Sequence, residues 1–215
     1  MMLFICIWLI FVLYICRCIY LMYQVWTLRR PQAELRNPNN PVRTLIVIGS
    51  GGHTAEMLKI VSQLNFTKYR PRIYAMASSD ITSELKIVSM EYSNSSKGEY
   101  ILIKIPRSRD VGQSFLTSIF TTLYSSLFCI PYMFYYRPEL ILCNGPGTCI
   151  PICVVAFLMR AAFISNNRII FFESICRVWS LSLTGKLLLC IADNIFVQWP
   201  ELKNSYRRTQ YIGNL

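Results

Sequence analysis

The apolar positions of this chain form one long run at the N-terminus, followed by short runs separated by polar turns. Met1–Tyr23 is almost wholly apolar, and its length matches the roughly 20 residues that span a bilayer. Residues 1–26 are therefore predicted to form a single transmembrane anchor. Residues 27–43 contain the polar stretch from Pro31 to Pro41 and are predicted to be a linker.

Basic residues are concentrated after this run. Arg29, Arg30, Arg36 and Arg43 follow it, and no Lys or Arg precedes it. The positive-inside rule then places the following domain on the cytosolic face of the membrane. A cleaved signal peptide is the alternative, although the run is longer than a secretory apolar region and lacks a small-residue cleavage site.

Beyond the linker, short apolar runs alternate with segments of helical length, which is typical of βαβ units with right-handed crossovers. Six strands are predicted, at Thr44–Ile48, Arg72–Ala77, Tyr100–Ile105, Glu139–Cys143, Arg168–Phe172 and Asn194–Val197. Helices are predicted at His53–Leu64, Ile81–Glu91, Gln113–Tyr136, Thr148–Ala162 and Leu181–Ala192. The predicted fold class is α/β, a Rossmann-like doubly wound parallel sheet over residues 44–205, preceded by one transmembrane helix.

Two predicted helices, at 116–136 and 150–164, are apolar on nearly all sides. Such helices are either buried against the sheet and each other or partly inserted into a membrane surface. Residues of the kind that anchor helices at a membrane interface cluster at the end of the first, namely Tyr132, Tyr135, Tyr136 and Arg137.

The composition adds to the membrane prediction. Hydrophobic residues make up 53% of the chain and charged residues 15%, against roughly 45–50% and about 25% in soluble domains. The net charge of +11 comes from scattered basic residues that match no nucleic-acid-binding motif. We therefore expect a membrane surface and a phosphorylated ligand as partners, and no nucleic acid. The nine cysteines form no C-x-x-C pair, so neither a disulfide nor a zinc site is expected.

Ligands of a doubly wound sheet bind outside the carboxyl ends of its strands. Four loops are predicted to meet at that edge and are rich in glycine, hydroxyl groups and arginine, at 49–54, 106–110, 144–148 and 173–177. The first reads Gly49-Ser50-Gly51-Gly52-His53-Thr54, and glycines before a helix let backbone N–H groups approach an anion such as phosphate. A tight turn without a ligand is the alternative.

Two familiar nucleotide motifs do not fit this first loop. The Gly-Lys-Ser/Thr of a P-loop is absent, and Thr54 stands where dinucleotide-binding loops have their third glycine. The loop is therefore predicted to bind a phosphate group in a setting other than ATP or NAD.

Side chains of the same loops carry the candidate chemistry. His53, the only histidine, lies at a helix N-terminus, where a neutral imidazole could accept a proton, bond a sugar hydroxyl or simply cap the helix. Arg107 and Arg109 could grip a pyrophosphate bidentately, or be solvated. Glu173 follows an apolar strand, so burial could raise its pKa; it is a candidate base, sugar ligand or structural cap. The absence of an Asp-x-Asp pair argues against metal-dependent transfer.

Five segments together resemble one protein family, namely Ile48–Met57, Pro106–Arg109, Asn144–Thr148, Glu173-Ser174 with Arg177-Val178, and Phe196–Pro200. That family is the membrane-anchor subunit of the eukaryotic UDP-N-acetylglucosamine transferase, and the resemblance covers about residues 44–215.

The resemblance implies a function in N-glycan precursor synthesis at the endoplasmic reticulum. The complex would be an inverting glycosyltransferase that adds the second N-acetylglucosamine, β1,4-linked, to N-acetylglucosaminyl-diphosphodolichol. This chain would be a single-pass membrane protein with its domain in the cytosol, and it would recruit a soluble catalytic subunit in a heterodimer or larger assembly. No cofactor is implied, and the partner would hold most of the donor, UDP-N-acetylglucosamine.

The resemblance also implies roles for individual residues. The domain would be the N-terminal half of a GT-B fold, similar to the acceptor-side domain of the bacterial transferase that makes lipid II. A GT-B pair needs about 300 residues, so the donor half is expected in a separate protein. The acceptor and its diphosphate would be bound by Gly49, Ser50, Gly51, Gly52, Thr54, Arg107, Arg109, Asn144, Gly145, Gly147 and Thr148.

The same resemblance leaves the base open between His53, Glu173 and the partner, with no metal. Residues 206–215 would form a tail that docks on the partner through Tyr211, Ile212, Gly213, Asn214 and Leu215. Two other functions remain as alternatives. One is a membrane-anchored NAD(P)-binding oxidoreductase, which would carry a Tyr-x-x-x-Lys pair, and the other is a non-catalytic scaffold.

Overall fold

A computed structural model of the chain describes residues 1–28, 40–93, 99–109, 112–145 and 147–213. The residues outside this description include most of the predicted linker. They also include Pro146, in the predicted loop at 144–148, and the last two tail residues, Asn214 and Leu215.

The described residues form a seven-stranded sheet in the order β3-β2-β1-β4-β5-β6-β7, with every paired strand parallel. The strands are β1 Thr44–Val47, β2 Arg72–Ala77, β3 Tyr100–Ile105, β4 Leu140–Asn144, β5 Arg168–Phe172, β6 Asn194–Val197 and β7 Thr209–Tyr211. The helices are α1 Met2–Trp26, α2 Gly52–Ser62, α3 Ile81–Ser93, α4 Phe115–Tyr136, α5 Cys149–Ala161, α6 Leu183–Leu188 and α7 Pro200–Ser205. The predicted α/β class and doubly wound parallel sheet are confirmed.

Three elements differ from the sequence prediction, and the short helix α7 is one that was not predicted. β7 was not predicted, because Thr-Gln-Tyr has no apolar run, yet its backbone pairs with β6 from Thr209 to Tyr211. The helix predicted at Leu181–Ala192 is only six residues long as α6. Ser182 caps it by accepting a hydrogen bond from the Gly185 N–H, which fixes its start two residues later than predicted.

The helices cover both faces of the sheet. One core cluster joins α2 and α3 to the sheet through Met57, Val61 and Ile87. The other cluster joins the four helices α4, α5, α6 and α7 to the opposite face of the sheet, through buried side chains such as Met133 and Ile152. The helix after β1 (α2) covers one face of the sheet, whereas the helix before the neighbouring strand β4 (α4) covers the other face. The order of strands therefore runs outwards in opposite directions from β1 and from β4. Such a switch point opens a crevice at the carboxyl ends, and here it lies between the loops after β1 and β4.

The N-terminal helix α1 rests on the domain along half of its length. The Tyr14 hydroxyl donates to the Leu158 carbonyl at 3.1 Å, and Leu21 packs with Phe157 and Ala161 of α5. Residues 2–13 include no buried side chain. Among the described residues, Met2–Trp26 and Leu116–Tyr136 are the helices long and apolar enough to cross a membrane.

Candidate functional site

A cleft of about 620 Å³ opens at the carboxyl ends of the strands. All four loops predicted to share this edge contribute to its wall. The predicted site residues that line it are Ser50, His53, Arg107, Arg109, Gly145, Gly147, Thr148 and Glu173. The remaining predicted residues of the described loops do not line it, and these are Gly49, Gly51, Gly52, Thr54 and Asn144.

The first glycine loop is held from behind by a buried hydroxyl pair. Thr54 is fully buried; its hydroxyl donates to the Gly49 carbonyl and lies 2.7 Å from the Ser83 hydroxyl. Thr54 was predicted as a ligand-binding residue, but it shapes the loop and does not reach the cleft. Gly51 is the N-cap of α2 with φ +64°, a left-handed conformation that glycine adopts without strain.

His53 is fixed on one side by a chain of polar contacts. Its Nδ1 lies 3.0 Å from the Oδ1 of buried Asn144, whose Nδ2 donates to Oε2 of Glu56 at 2.8 Å. The other oxygen of Glu56 accepts from the Ser174 hydroxyl at 2.9 Å and from the Ile175 N–H at 3.4 Å. Glu56 lies in the family-like segment Ile48–Met57, but no role was predicted for it from the sequence. Its position one helical turn after His53 was the available signal.

Gly145 lies directly against the imidazole of His53. Its φ is +85°, and a Cβ added to it would stand less than 3.0 Å from Nδ1 of His53, closer than the two atoms can approach. The third loop therefore needs glycine at this position for two reasons, the backbone conformation and the space that the ring occupies.

Hydroxyls of α4 position the arginine loop. Ser125 donates to the Pro106 carbonyl at 2.9 Å, and Thr121 donates to the Ser108 carbonyl at 2.6 Å. Arg109 donates to the Gln113 carbonyl at 2.9 Å, so part of its guanidinium is engaged within its own loop. Half-buried Arg107 lines the cleft, which makes it the better placed of the two arginines to bind an anion.

Glu173 is 1% exposed, and both of its carboxyl oxygens accept hydrogen bonds. One accepts from the Ser174 N–H at 3.1 Å, and the other from the N–H and hydroxyl of Ser182 at 2.8 and 3.0 Å. Burial raises the pKa of Glu173, although these bonds and the nearby Arg177 oppose the rise. The contacts favour the structural role among those predicted, because the carboxylate ties the loop after β5 to the start of α6.

The predicted tail begins as part of the fold. Thr209 and Tyr211 belong to β7, and the Ile212 N–H donates to the Val197 carbonyl at 3.1 Å. Tyr211 is half exposed on this edge strand. Gly213, with φ +75°, is the last described residue.

The Tyr-x-x-x-Lys spacing expected of an oxidoreductase occurs in the chain at Tyr100 and Lys104, but both residues lie in β3. Tyr100 packs edge-on against Tyr74, and Lys104 forms an ion pair with Glu84 at 2.8 Å. Neither lines the cleft, so this pair does not support nicotinamide chemistry there.

Comparison with known proteins gives consistent matches over most of the chain. The family model described as "Oligosaccharide biosynthesis protein Alg14 like" matches residues 44–215. The UDP-N-acetylglucosamine transferase subunit ALG14 of Rattus norvegicus is 46% identical over 201 residues, which cover 91% of this chain and 92% of the rat protein. The proteins of the same name from Homo sapiens and Candida albicans are 39% and 45% identical, over 92% and 79% of this chain and 93% and 76% of their own lengths.

Among solved structures, the chain resembles MurG from Acinetobacter baumannii, with a TM-score of 0.55 at 14% identity. The match covers 80% of this chain and 45% of the MurG chain, so this chain spans less than half of that protein. The likeness concerns the fold alone, and it bears out the prediction of a single GT-B half.

Proposed function

Because the chain belongs to the Alg14-like family of oligosaccharide biosynthesis proteins, we propose that it is the membrane-anchoring, acceptor-binding subunit of a two-subunit UDP-N-acetylglucosamine transferase. The complex transfers N-acetylglucosamine to N-acetylglucosaminyl-diphosphodolichol on the cytosolic face of the endoplasmic reticulum. The observation that carries the proposal is a phosphate-suited cleft at the switch point of a fold that matches 45% of MurG. A partner protein supplies the other wall and most of the donor site.

The acceptor diphosphate binds where three sources of positive potential converge. Helices α2 and α5 both begin at this crevice. At neither N-cap does a side chain accept a hydrogen bond from the first backbone N–H groups of the helix. Such N–H groups and the helix dipoles favour an anion. Arg107 adds a full positive charge and can bind two phosphate oxygens.

The chemical step is a single displacement. The 4-hydroxyl oxygen of the acceptor sugar attacks the anomeric carbon of the donor, the bond from that carbon to the UDP oxygen breaks, and UDP leaves with the electron pair. The hydroxyl proton passes to His53, which lines the cleft, as general base. An α-linked donor then gives the β1,4 product with inversion.

The packing of α1 supports an anchor that draws the domain close to the membrane. Residues 2–13 extend about 18 Å at 1.5 Å per residue, whereas the hydrocarbon core is about 30 Å thick. A helix that crosses the bilayer therefore needs part of its docked half, Tyr14–Val25, inside the membrane as well. The part of α5 around Leu158, which Tyr14 contacts, then enters the membrane with it.

The neighbouring helix α4 offers an apolar surface to the same membrane. Five of its Leu, Ile and Phe side chains are more than half exposed, namely Leu116, Ile119, Phe120, Leu123 and Leu127. This face begins beside the arginine loop, which α4 itself positions. A polyprenyl chain whose diphosphate lies in the cleft can therefore follow α4 into the lipid.

This path predicts a dependence on the length of the acceptor lipid. Phe120→Glu combined with Leu123→Glu is expected to raise KM about tenfold for an acceptor with a long polyprenyl chain, because apolar burial worth about 1.4 kcal/mol or more is lost. An acceptor with a short chain should be little affected. Leu85→Glu is the control, since Leu85 is 67% exposed but lies on α3, across the sheet. An equal rise for both acceptors would contradict the proposed path.

The function itself is tested by reconstitution with the soluble catalytic subunit. Membranes that contain this chain, mixed with that subunit, are expected to convert N-acetylglucosaminyl-diphosphodolichol and UDP-N-acetylglucosamine to the β1,4-linked disaccharide product. Neither component alone should do so. No product from the mixture, with both proteins folded and present together, would refute the proposal.

The same preparation tests partner docking by the tail. Truncation after Ile212 removes residues 213–215 but keeps the bond from the Ile212 N–H to β6. The partner should then move to the soluble fraction while this chain stays in membranes. Retention of the partner on membranes would contradict a docking role for residues 213–215.

A further inference from the structure

We propose that Glu56 and Asn144 are positioning residues that hold the His53 imidazole in one tautomer, with hydrogen on Nδ1 and Nε2 as its proton acceptor. The identity of the hydroxyl that His53 deprotonates rests on the proposed function. The tautomer does not, because it follows from the contacts within this chain.

The direction of each hydrogen bond is set by Glu56. Its Oε1 accepts from the backbone N–H of Ile175, a group that can only donate, and from the Ser174 hydroxyl. An ionised carboxylate has no hydrogen to donate, so the atom of Asn144 that faces Oε2 must be the amide nitrogen. The separation of 2.8 Å between these two atoms fits that assignment.

The orientation of Asn144 then determines the state of His53. With its amide nitrogen on Glu56, Asn144 presents its carbonyl oxygen to Nδ1 of His53 at 3.0 Å. A carbonyl oxygen only accepts, so Nδ1 carries the hydrogen. In a neutral ring this leaves the lone pair on Nε2, and no described residue forms a hydrogen bond with that nitrogen.

Three separate elements hold this arrangement in place. His53 and Glu56 are one turn apart on α2, Asn144 is the fully buried last residue of β4, and Ser174 lies in the loop after β5. Gly145 closes the remaining side of the ring, since even a methyl group would overlap it. Such outer contacts fix both the tautomer and the orientation of a functional histidine.

The arrangement also suits the proton transfer. When Nε2 takes the hydroxyl proton, the ring becomes an imidazolium that still donates from Nδ1 to Asn144. The carboxylate of Glu56, one residue further along the chain of bonds, then offsets the new positive charge. Loss of Glu56 should therefore lower kcat more than it changes the acceptor KM.

The tautomer can be read directly because His53 is the only histidine in the chain. The full-length protein, purified with a histidine-free tag, labelled with ¹⁵N-histidine and held in lipid nanodiscs, gives a single pair of ring nitrogen signals. We expect an N–H-type signal for Nδ1 and an unprotonated signal for Nε2 in the neutral ring. A dominant Nε2–H form, or an equal mixture, would overturn the proposal.

Variants separate positioning from a structural role. Glu56→Ala and Asn144→Ala should give a mixture of tautomers and lower kcat about 10- to 100-fold. Glu56→Gln keeps the size of the side chain but has one acceptor oxygen instead of two. The Ile175 N–H needs that oxygen, so the amide nitrogen would face Asn144, and the wild-type tautomer should be lost in this variant too while the packing is kept. Glu84→Gln, which removes a partly exposed carboxylate on α3 that pairs with Lys104, is the control for both measurements.

The outcomes distinguish this proposal from the proposed function. If Glu56→Ala lowers thermal stability but leaves the ring signals unchanged, Glu56 is structural and the inference is wrong. If the wild-type tautomer is as expected but His53→Ala retains full transfer, the tautomer stands and the base assignment of the proposed function is wrong.

Discussion

Replacing Gly145 with alanine is expected to reduce kcat of the reconstituted transferase about 100-fold while the sheet remains folded. The new Cβ would overlap Nδ1 of His53, so the ring must leave its position and its bond to Asn144. Loss of a placed general base lowers rates by about 10²–10⁴. The φ of +85° adds backbone strain of roughly 1–2 kcal/mol for a residue with a side chain. Steady-state kinetics and thermal unfolding measure the two effects separately.

A double-mutant cycle identifies the cause of that loss. In a His53→Ala background there is no ring for the new methyl group to displace, so Gly145→Ala should lower kcat little further. Gly51→Ala reports backbone strain alone in the unfolding measurement, because Gly51 also has positive φ but a Cβ added there would meet no atom within 4 Å. If Gly145→Ala lowers kcat equally with and without His53, the contact with the ring is not the reason for the glycine.

The parts of this site that could be predicted from sequence are those encoded locally. Alternating apolar runs gave the order of strands and helices, and the topological rule then brought four loops to one edge. Gly51 could be recognised in the same way, because glycine next to a helix start is a local signal. These inferences need only residues that are neighbours in the chain.

The roles that were missed or left open depend on contacts between distant residues. Glu56 bonds to Asn144 across 88 positions and to Ser174 across 118. Thr54 looked like a loop hydroxyl, but the first turn of α2 directs it to buried Ser83. Glu173 could be a base or a structural group until Ser182 was seen to occupy its oxygen. Periodicity does not reveal such partners, since each is set by how α2, β4 and α6 pack.

The same limit applies to the N-terminal helix. Its length and composition predict a membrane span, yet they carry no signal for the docking of Tyr14 and Leu21 on α5. That docking, together with the rise per residue of a helix, is what indicates a domain seated close to the lipid. In the proposed function, anchoring and acceptor binding would then share one continuous surface, from α1 through α5 and α4 to the arginine loop.

Arg107→Ala is expected to raise the acceptor KM about 10- to 100-fold, with little change in the KM for UDP-N-acetylglucosamine. A hydrogen bond to a charged group contributes about 1.5–3 kcal/mol, and each 1.4 kcal/mol corresponds to a factor of ten in affinity. Arg107 lines the cleft, and no described residue pairs with its guanidinium. In the proposed function this charge binds the acceptor diphosphate, and initial rates measured at varied acceptor and donor concentrations would show the selective effect.

Three further variants determine whether the acceptor KM depends on the planar geometry of the Arg107 guanidinium or on its charge alone. Arg107→Lys keeps the charge but not the planar fork that binds two oxygens, so it should recover only part of the affinity. Arg109→Ala should have a smaller effect than Arg107→Ala, because the Arg109 guanidinium already donates to the Gln113 carbonyl. Lys86→Ala removes one positive charge from exposed α3 and should leave both KM values unchanged. A rise in the donor KM with an unchanged acceptor KM would move Arg107 to the donor side, because the acceptor diphosphate would then bind without it.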